Sequence, residues 1–315
     1  MQNNRNEKQR NLLASFIGEP TPAKASGLTF TLASAALVVI SFLFLLVITL
    51  GGLAQEGVER KDWYLYISYL LSPAAFALVA WGVLRWMKIP VREEIKAQKC
   101  KPKYFLIAIV LQAGLLCLSE LNALFLDFLS RFGYEDTPIL LPSMDGFGFV
   151  GVLIVVAVLP ALFEEIIFRG LLLKGMRAFG TAGAVLLSGA LFALYHQNPA
   201  QTVYQFCCGA AFALVAVRAG SILPTVLSHF LNNALILTLT KFGVTEFSKP
   251  AFIAIVCVSA VCLVGSLVWV LCFEKKGLEG GCEDKGKERK RFWGAAAIGI
   301  VICGLTWLSV LWTGL

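Results

Sequence analysis

Charged residues are scarce in this chain: Asp, Glu, Lys and Arg make up 15% of its 315 positions, hydrophobic residues make up 58%, and histidine occurs only twice. A soluble domain carries about 25% charged residues, so a single core wrapped in a solvated surface is excluded. Metal-ligand spacing such as C-x-x-C is missing from the nine cysteines. Cys117, Cys207, Cys208, Cys257, Cys262 and Cys303 fall in apolar runs, where a thiol behaves as a small buried hydrophobe, and no disulfide framework follows. Also missing is a short apolar stretch with a small-residue cleavage site ahead of the first long run. The first 27 residues are polar and mixed in charge, which favours an uncleaved first span over a removed signal peptide. No low-complexity segment or internal repeat is visible. The net charge of +7 sits in short segments between apolar runs, as membrane topology requires, so no nucleic-acid partner is expected.

What is present is long apolar runs, at 28–54, 64–86, 104–125, 147–173, 181–197, 200–217, 221–240, 251–273 and 292–314. They predict an all-α polytopic membrane protein with about nine transmembrane helices. Asn198 and Pro199 alone separate the fifth run from the sixth, a tight hairpin. With the N-terminus inside, the inside segments hold 21 Lys and Arg and the outside segments 5, Arg169 being left within a span. The N-terminus is therefore expected in the cytoplasm and the C-terminus outside. The basic segments 85–103 and 274–291 are then cytoplasmic anchors in contact with membrane lipids. The acidic stretch 126–145 becomes an external loop, with Glu120 at its interface. This divides the chain into a cytoplasmic segment 1–27, three spans over 28–146, a four-helix core over 147–240 and two spans over 241–315.

Into the fourth run the chain places Glu164, Glu165 and Arg169. Each costs roughly 3 kcal/mol at a helix centre unless it pairs or reaches water. Glu165 and Arg169 are four apart with the acid first, and so form a structural ion pair on one face. Glu164, turned by about 100° from Glu165, is left free. Pro160 removes a backbone donor and bends the helix where the acids begin.

Both histidines also lie in apolar runs, His196 closing Phe192-Ala-Leu-Tyr-His196 and His229 opening His229-Phe-Leu-Asn-Asn233. Counted from the inner end of each helix, Glu164 lies at about 15 Å, His196 at about 22 Å, His229 at about 12 Å and Asn233 at about 18 Å. One acid, two imidazoles and a carboxamide can thus meet near mid-membrane. Such a set suits hydrolysis: Glu164 as general base on a water, assisted by His196, with His229 and Asn233 donating to the oxyanion. The same Glu164, His196 and His229 also make a His₂Glu ligand set with an open position, of the kind zinc hydrolases use. Another acid would then have to be the base, and Glu165 is committed to Arg169. The metal-free reading is preferred and zinc is the alternative. Ser228, Cys207 and Cys208 are read as packing residues rather than nucleophiles. Phe192, Tyr195 and Tyr204 are candidates for lining the substrate chamber.

Glu164-Glu165-x-x-x-Arg169, Phe192-x-x-x-His196 and His229-x-x-x-Asn233, in that order within 159–239, resemble the CPBP (Abi) family of intramembrane endopeptidases. That family includes the CAAX prenyl proteases and the bacteriocin-processing and bacteriocin-immunity proteins. The resemblance implies an α-helical membrane core around a catalytic chamber. It also implies Glu164 as catalytic glutamate, His196 as its partner in activating water, and His229 with Asn233 as oxyanion stabilisers. A peptide or lipidated protein, either CAAX-type prenylated or bacteriocin-like, is the implied substrate. The family is described both as metalloproteases and through a metal-independent glutamate mechanism. Spans 28–125 and 251–314 match nothing in it. With no organelle-retention signal visible, a bacterial plasma membrane is the expected location. The competing class is a non-enzymatic transporter or scaffold whose buried charges form a substrate or proton path. Transporters tend to be built from repeated halves with broken helices, and no such duplication is seen.

Overall fold

The computed structural model describes residues 21–87, 99–136, 138–244, 246–278 and 284–315. The expected cytoplasmic segment up to residue 20, residues 88–98 of one basic anchor and 279–283 of the other lie outside them. Among the described residues there are helices and no strands, as the apolar runs predict.

Helix α1 (Pro22–Leu50) starts where Thr21 accepts from the Lys24 N–H and Pro22 occupies the first turn, a position that needs no N–H donor. Helix α2 (Asp62–Met87) follows. Helices α3 (Lys103–Leu115) and α4 (Leu118–Ser130) form one rod interrupted at 116–117. The helix therefore runs past the apolar run into the stretch expected to be loop. Asp127 and Arg131, four apart and paired at 2.7 Å, supply a polar last turn that hydropathy does not register.

Helix α5, at 148–175, is continuous but not uniform. Its α-helical parts, Gly148–Val152, Leu159–Glu165 and Leu173–Gly175, are separated by π-helical Leu153–Val158 and Ile166–Leu172. A 3₁₀ turn over Met176–Phe179 leads into α6 (Gly180–Tyr195). After the hairpin come α7 (Thr202–Ala219), α8 (Leu223–Lys241), α9 (Lys249–Val268) with its π-helical extension Trp269–Phe273, and α10 (Lys285–Thr313). Helix α10 begins well before its apolar run because Asp284 accepts from the Lys287 N–H and caps a charged first turn.

Seven stretches are long and apolar enough to cross a membrane: Pro22–Leu50, Asp62–Met87, Lys103–Ser130, Gly148–Tyr195, Pro199–Ala219, Lys249–Phe273 and Lys285–Thr313. The nine runs reduce to these for two reasons. The fourth and fifth runs join into one helical stretch of 48 residues that turns at Met176–Phe179. The seventh, α8, is not among the stretches because Ser228, His229, Asn232 and Asn233 sit in its middle. The protein is an integral membrane protein. Phe42, Val47, Trp81, Leu106, Val261 and Leu305 are exposed on its outer faces, where lipid rather than water is the solvent.

Helix α1 packs along α10, α3 along α8 and α9, and α6 along α7. The α6–α7 pair meets closely beside Phe192. A Cβ on Gly209 would lie 2.9 Å from the Gly189 Cα and 3.0 Å from the Phe192 Cβ. Only hydrogen at both positions lets the two backbones meet this closely. That contact seats Phe192, one turn before His196, against α7.

Candidate active site

The centre of the site is built on α5. Pro160 has no N–H, so the Val156 carbonyl, four residues earlier, lacks its usual helical donor. The π-helical segment holding Val156 ends just before Pro160, and π-bulges occur often at functional sites. Asn233 of α8 supplies a donor: its Nδ2 lies 3.1 Å from the Val156 oxygen. The bend expected at Pro160 thus ties α5 to one of the four predicted site residues.

The two adjacent glutamates differ. Glu165 is fully buried, with Oε1 accepting from Arg169 Nη1 at 2.7 Å, as the four-residue spacing predicts. Arg169 is fully buried too. Its Nη2 donates to the Gly209 carbonyl at 3.1 Å, and its guanidinium lies over Phe192 at 4.3 Å, Phe212 at 5.5 Å and Phe168 at 5.8 Å. An aromatic box of this kind replaces part of the water that the cation has lost. Glu164, in contrast, keeps 12% of its side chain accessible; its Oε2, like Glu165 Oε2, has no hydrogen-bond partner among the described residues.

His229 joins the pair. Its Nδ1 is 3.1 Å from Glu165 Oε1, and its Nε2 is 3.9 Å from Glu164 Oε2. Phe192 and Phe212 flank the ring at 6.0 and 5.8 Å. His196 ends α6, its Nδ1 hydrogen-bonded at 2.8 Å to the Phe192 carbonyl and its ring 4.7 Å from the Phe192 ring. The Phe192 ring also lies 6.0 Å from the His229 ring, so one aromatic side chain contacts both imidazoles. The structure therefore brings Glu164, His196, His229 and Asn233 to one region, with Glu165 and Arg169 beneath them.

Three further residues, to which the sequence reading gave no site role, complete the polar centre. Asn232 Oδ1 accepts from Gln112 Nε2 and from the Tyr204 hydroxyl, each at 2.8 Å, while its Nδ2 donates to Asn233 Oδ1 at 3.2 Å. Ser228 donates to Gln112 Oε1 at 3.1 Å. A glutamine in the middle of the third apolar run and a second asparagine beside Asn233 were the available signals. Tyr204, expected to line a chamber, is held in this network. Phe192 is buried between Arg169 and the two histidines. Tyr195 is buried in an aromatic cluster with Phe76 at 4.9 Å and Phe168 at 5.7 Å.

The zinc alternative is tested by the same geometry. His229 and His196 each use Nδ1 within the protein, on Glu165 and on a carbonyl, an arrangement that leaves Nε2 and is compatible with metal ligation. Among the described residues no group of three or more His, Cys, Asp or Glu side chains is arranged to hold a metal ion. The His₂Glu set of Glu164, His196 and His229 is not assembled as a ligand cage, and the metalloprotease description finds no support here. The chemistry below uses the side chains alone.

Neither a curated protein nor a solved structure matches the chain. A family model does match residues 146–235, from the start of α5 into α8, and this interval contains all three motifs. That segment of the chain is similar to the family described as Type II CAAX prenyl endopeptidase Rce1-like.

Proposed function

We propose that this protein is an intramembrane endopeptidase that hydrolyses a peptide bond of a membrane-associated substrate, either a CAAX-type prenylated protein or a bacteriocin-like peptide, using water activated by Glu164. The supporting observation is the asymmetry of the two adjacent carboxylates: Glu165 Oε1 is bound to Arg169 and His229, whereas Glu164 accepts no hydrogen bond among the described residues and stands 3.9 Å from His229 Nε2. A desolvated carboxylate without a partner is costly. Glu164 is the carboxylate of the pair left within reach of a water, as a general base must be.

In this reading a water between Glu164 and His196 loses a proton to Glu164 as its oxygen attacks the scissile carbonyl. With Nδ1 of His196 donating to the Phe192 carbonyl, its Nε2 lone pair accepts from the same water. For His229 to donate to the oxyanion through Nε2 while Nδ1 stays on Glu165, both ring nitrogens must carry hydrogen. Asn233 has two amide hydrogens and spends one on Val156, leaving one for the oxyanion. Each such donor is worth about 10²–10³ in rate. Glu164 then passes its proton to the leaving amine, and the peptide is released with one water consumed. Membrane insertion with the N-terminus in the cytoplasm completes the reading.

The test uses purified protein in detergent, a farnesylated CAAX peptide and a bacteriocin precursor peptide. The wild type is expected to cleave one of them, and Glu164→Gln to lose at least ~100-fold in rate with an unchanged melting temperature. Wild-type rates in Glu164→Gln would refute the assignment. Dialysis against a chelator is expected to leave the activity intact.

A further inference from the structure

Where α5 turns into α6, beside the start of α10 and of α1, lies a cavity of about 420 Å³ away from the polar centre. Its charged lining consists of Lys174 from the end of α5, Arg177 from the turn, the α10 cap Asp284, and Lys287, Glu288 and Arg291 from the start of α10. We propose that this cavity binds a phosphate-bearing anion, the headgroup of an anionic phospholipid.

Four cations face two acids, and both acids have tasks inside the protein. Asp284 Oδ1 accepts from the Lys287 N–H at 2.9 Å and caps α10. Glu288 is ion-paired with Arg291. With Lys174 left aside, Arg177, Lys287 and Arg291 still outnumber the two acids. Arg177 adds a second observation: its Nε is buried and has no hydrogen-bond partner among the described residues. A buried N–H of this kind costs free energy until an acceptor arrives. The guanidinium plane matches two phosphate oxygens at once. The start of a helix as long as α10 adds partial positive charge from its first N–H groups.

Position selects a lipid over a soluble ion. Phe179 lies against Phe292 at 5.3 Å and Trp293 at 5.8 Å, and Arg289 sits over Phe179 at 5.5 Å while donating to the Ala178 carbonyl. Tryptophan and arginine together at the end of apolar helices mark the headgroup level of a bilayer. Basic pockets between helix ends at that level suit anionic headgroups.

The full-length protein in detergent is titrated with dioctanoyl phosphatidic acid, dioctanoyl phosphatidylcholine and inorganic phosphate, with bound species read by native mass spectrometry. Phosphatidic acid is expected to bind saturably, with phosphatidylcholine roughly tenfold weaker or more. Arg177→Gln should weaken the acidic lipid by roughly tenfold, Arg177→Lys by less, and Lys290→Gln, the same charge change off the cavity, should have no effect. Glu288→Gln should tighten binding, which keeps a test available if Arg177→Gln fails to fold. Equal binding of both lipids, wild-type binding in Arg177→Gln, or equal weakening in Lys290→Gln would overturn the site. Inorganic phosphate binding as tightly as the lipid would make the ligand a free ion and overturn the lipid assignment.

Discussion

His229 Nδ1 stands 3.1 Å from Oε1 of Glu165, the same oxygen that Arg169 holds at 2.7 Å. One carboxylate oxygen thus joins a cation and an imidazole from two helices, and the orientation of the imidazole depends on a pair buried beneath it.

Arg169→Leu should therefore do two things. It strands a carboxylate that is fully buried, a loss of about 3–5 kcal/mol for a broken buried pair. It also releases His229. The measurement is thermal unfolding in detergent together with cleavage rate. The double variant Glu165→Leu/Arg169→Leu should melt above Arg169→Leu, because no uncompensated charge remains. A double variant less stable than Arg169→Leu would show that the stranded Glu165 carboxylate is not the source of the loss.

Asn233 and Pro160 should be coupled through the Val156 carbonyl. Asn233→Ala leaves that oxygen without its side-chain donor, at a cost of about 1–3 kcal/mol. Pro160→Ala restores a backbone N–H four residues after Val156. The pair Pro160→Ala/Asn233→Ala is thus expected to lose less stability than the sum of the singles. Strict additivity in a double-mutant cycle would disprove the coupling.

Gly209→Val should destabilise by about 1–3 kcal/mol, since its Cβ would meet Gly189 Cα at 2.9 Å and Phe192 Cβ at 3.0 Å. Gly82 on α2 has nothing within 4 Å of an added Cβ. Gly82→Ala should then raise the melting temperature, as a helical glycine replaced without strain. Equal effects at the two positions would argue against a close α6–α7 contact.

Glu274, just past the last turn of the α9 extension, gives a pH signature. Hydrogen bonds from Lys103 and then from Tyr104, the latter at 2.7 Å, hold its carboxyl below the usual carboxylate range, with Trp269 adding a third at 3.2 Å. Its pKa is lower folded than unfolded, so its contribution is complete above the unfolded value near ~4.3 and is lost as pH falls through the folded one. The melting difference between wild type and Glu274→Gln should hold from pH 7 to about pH 5 and shrink in stronger acid. A constant difference down to the lowest pH would contradict this.

Much of the architecture was readable because the bilayer imposes a one-dimensional rule. Apolar runs must be helices, and the expected run at 147–173 returns as helix 148–175. Spacing rules worked where one helix held both partners. Glu165 and Arg169 met as predicted because positions four apart share a face, and the π-helical turn from Ile166 does not separate them. Helix ends were less legible. Asp284 and Asp127 extend α10 and α4 beyond hydropathy because capping and charge pairing act independently of apolar content. The count of nine spans yields seven qualifying stretches for a related reason: the residues that give α8 its chemistry lower its hydropathy.

An ionisable or amide group in an apolar helix is tolerated only with a partner, so Glu164, Glu165, Arg169, His196, His229 and Asn233 stand out along the chain, whereas Gln112 and Asn232 drew no such attention. Tertiary packing alone decided which partner each one takes. His229 chose Glu165 over Glu164, Asn233 found a carbonyl freed by Pro160, and Gln112 and Tyr204 converged on Asn232. Those choices depend on crossing distances between α3, α5, α7 and α8, and a hydrogen bond across helices is won or lost over less than 1 Å, a length no linear spacing encodes.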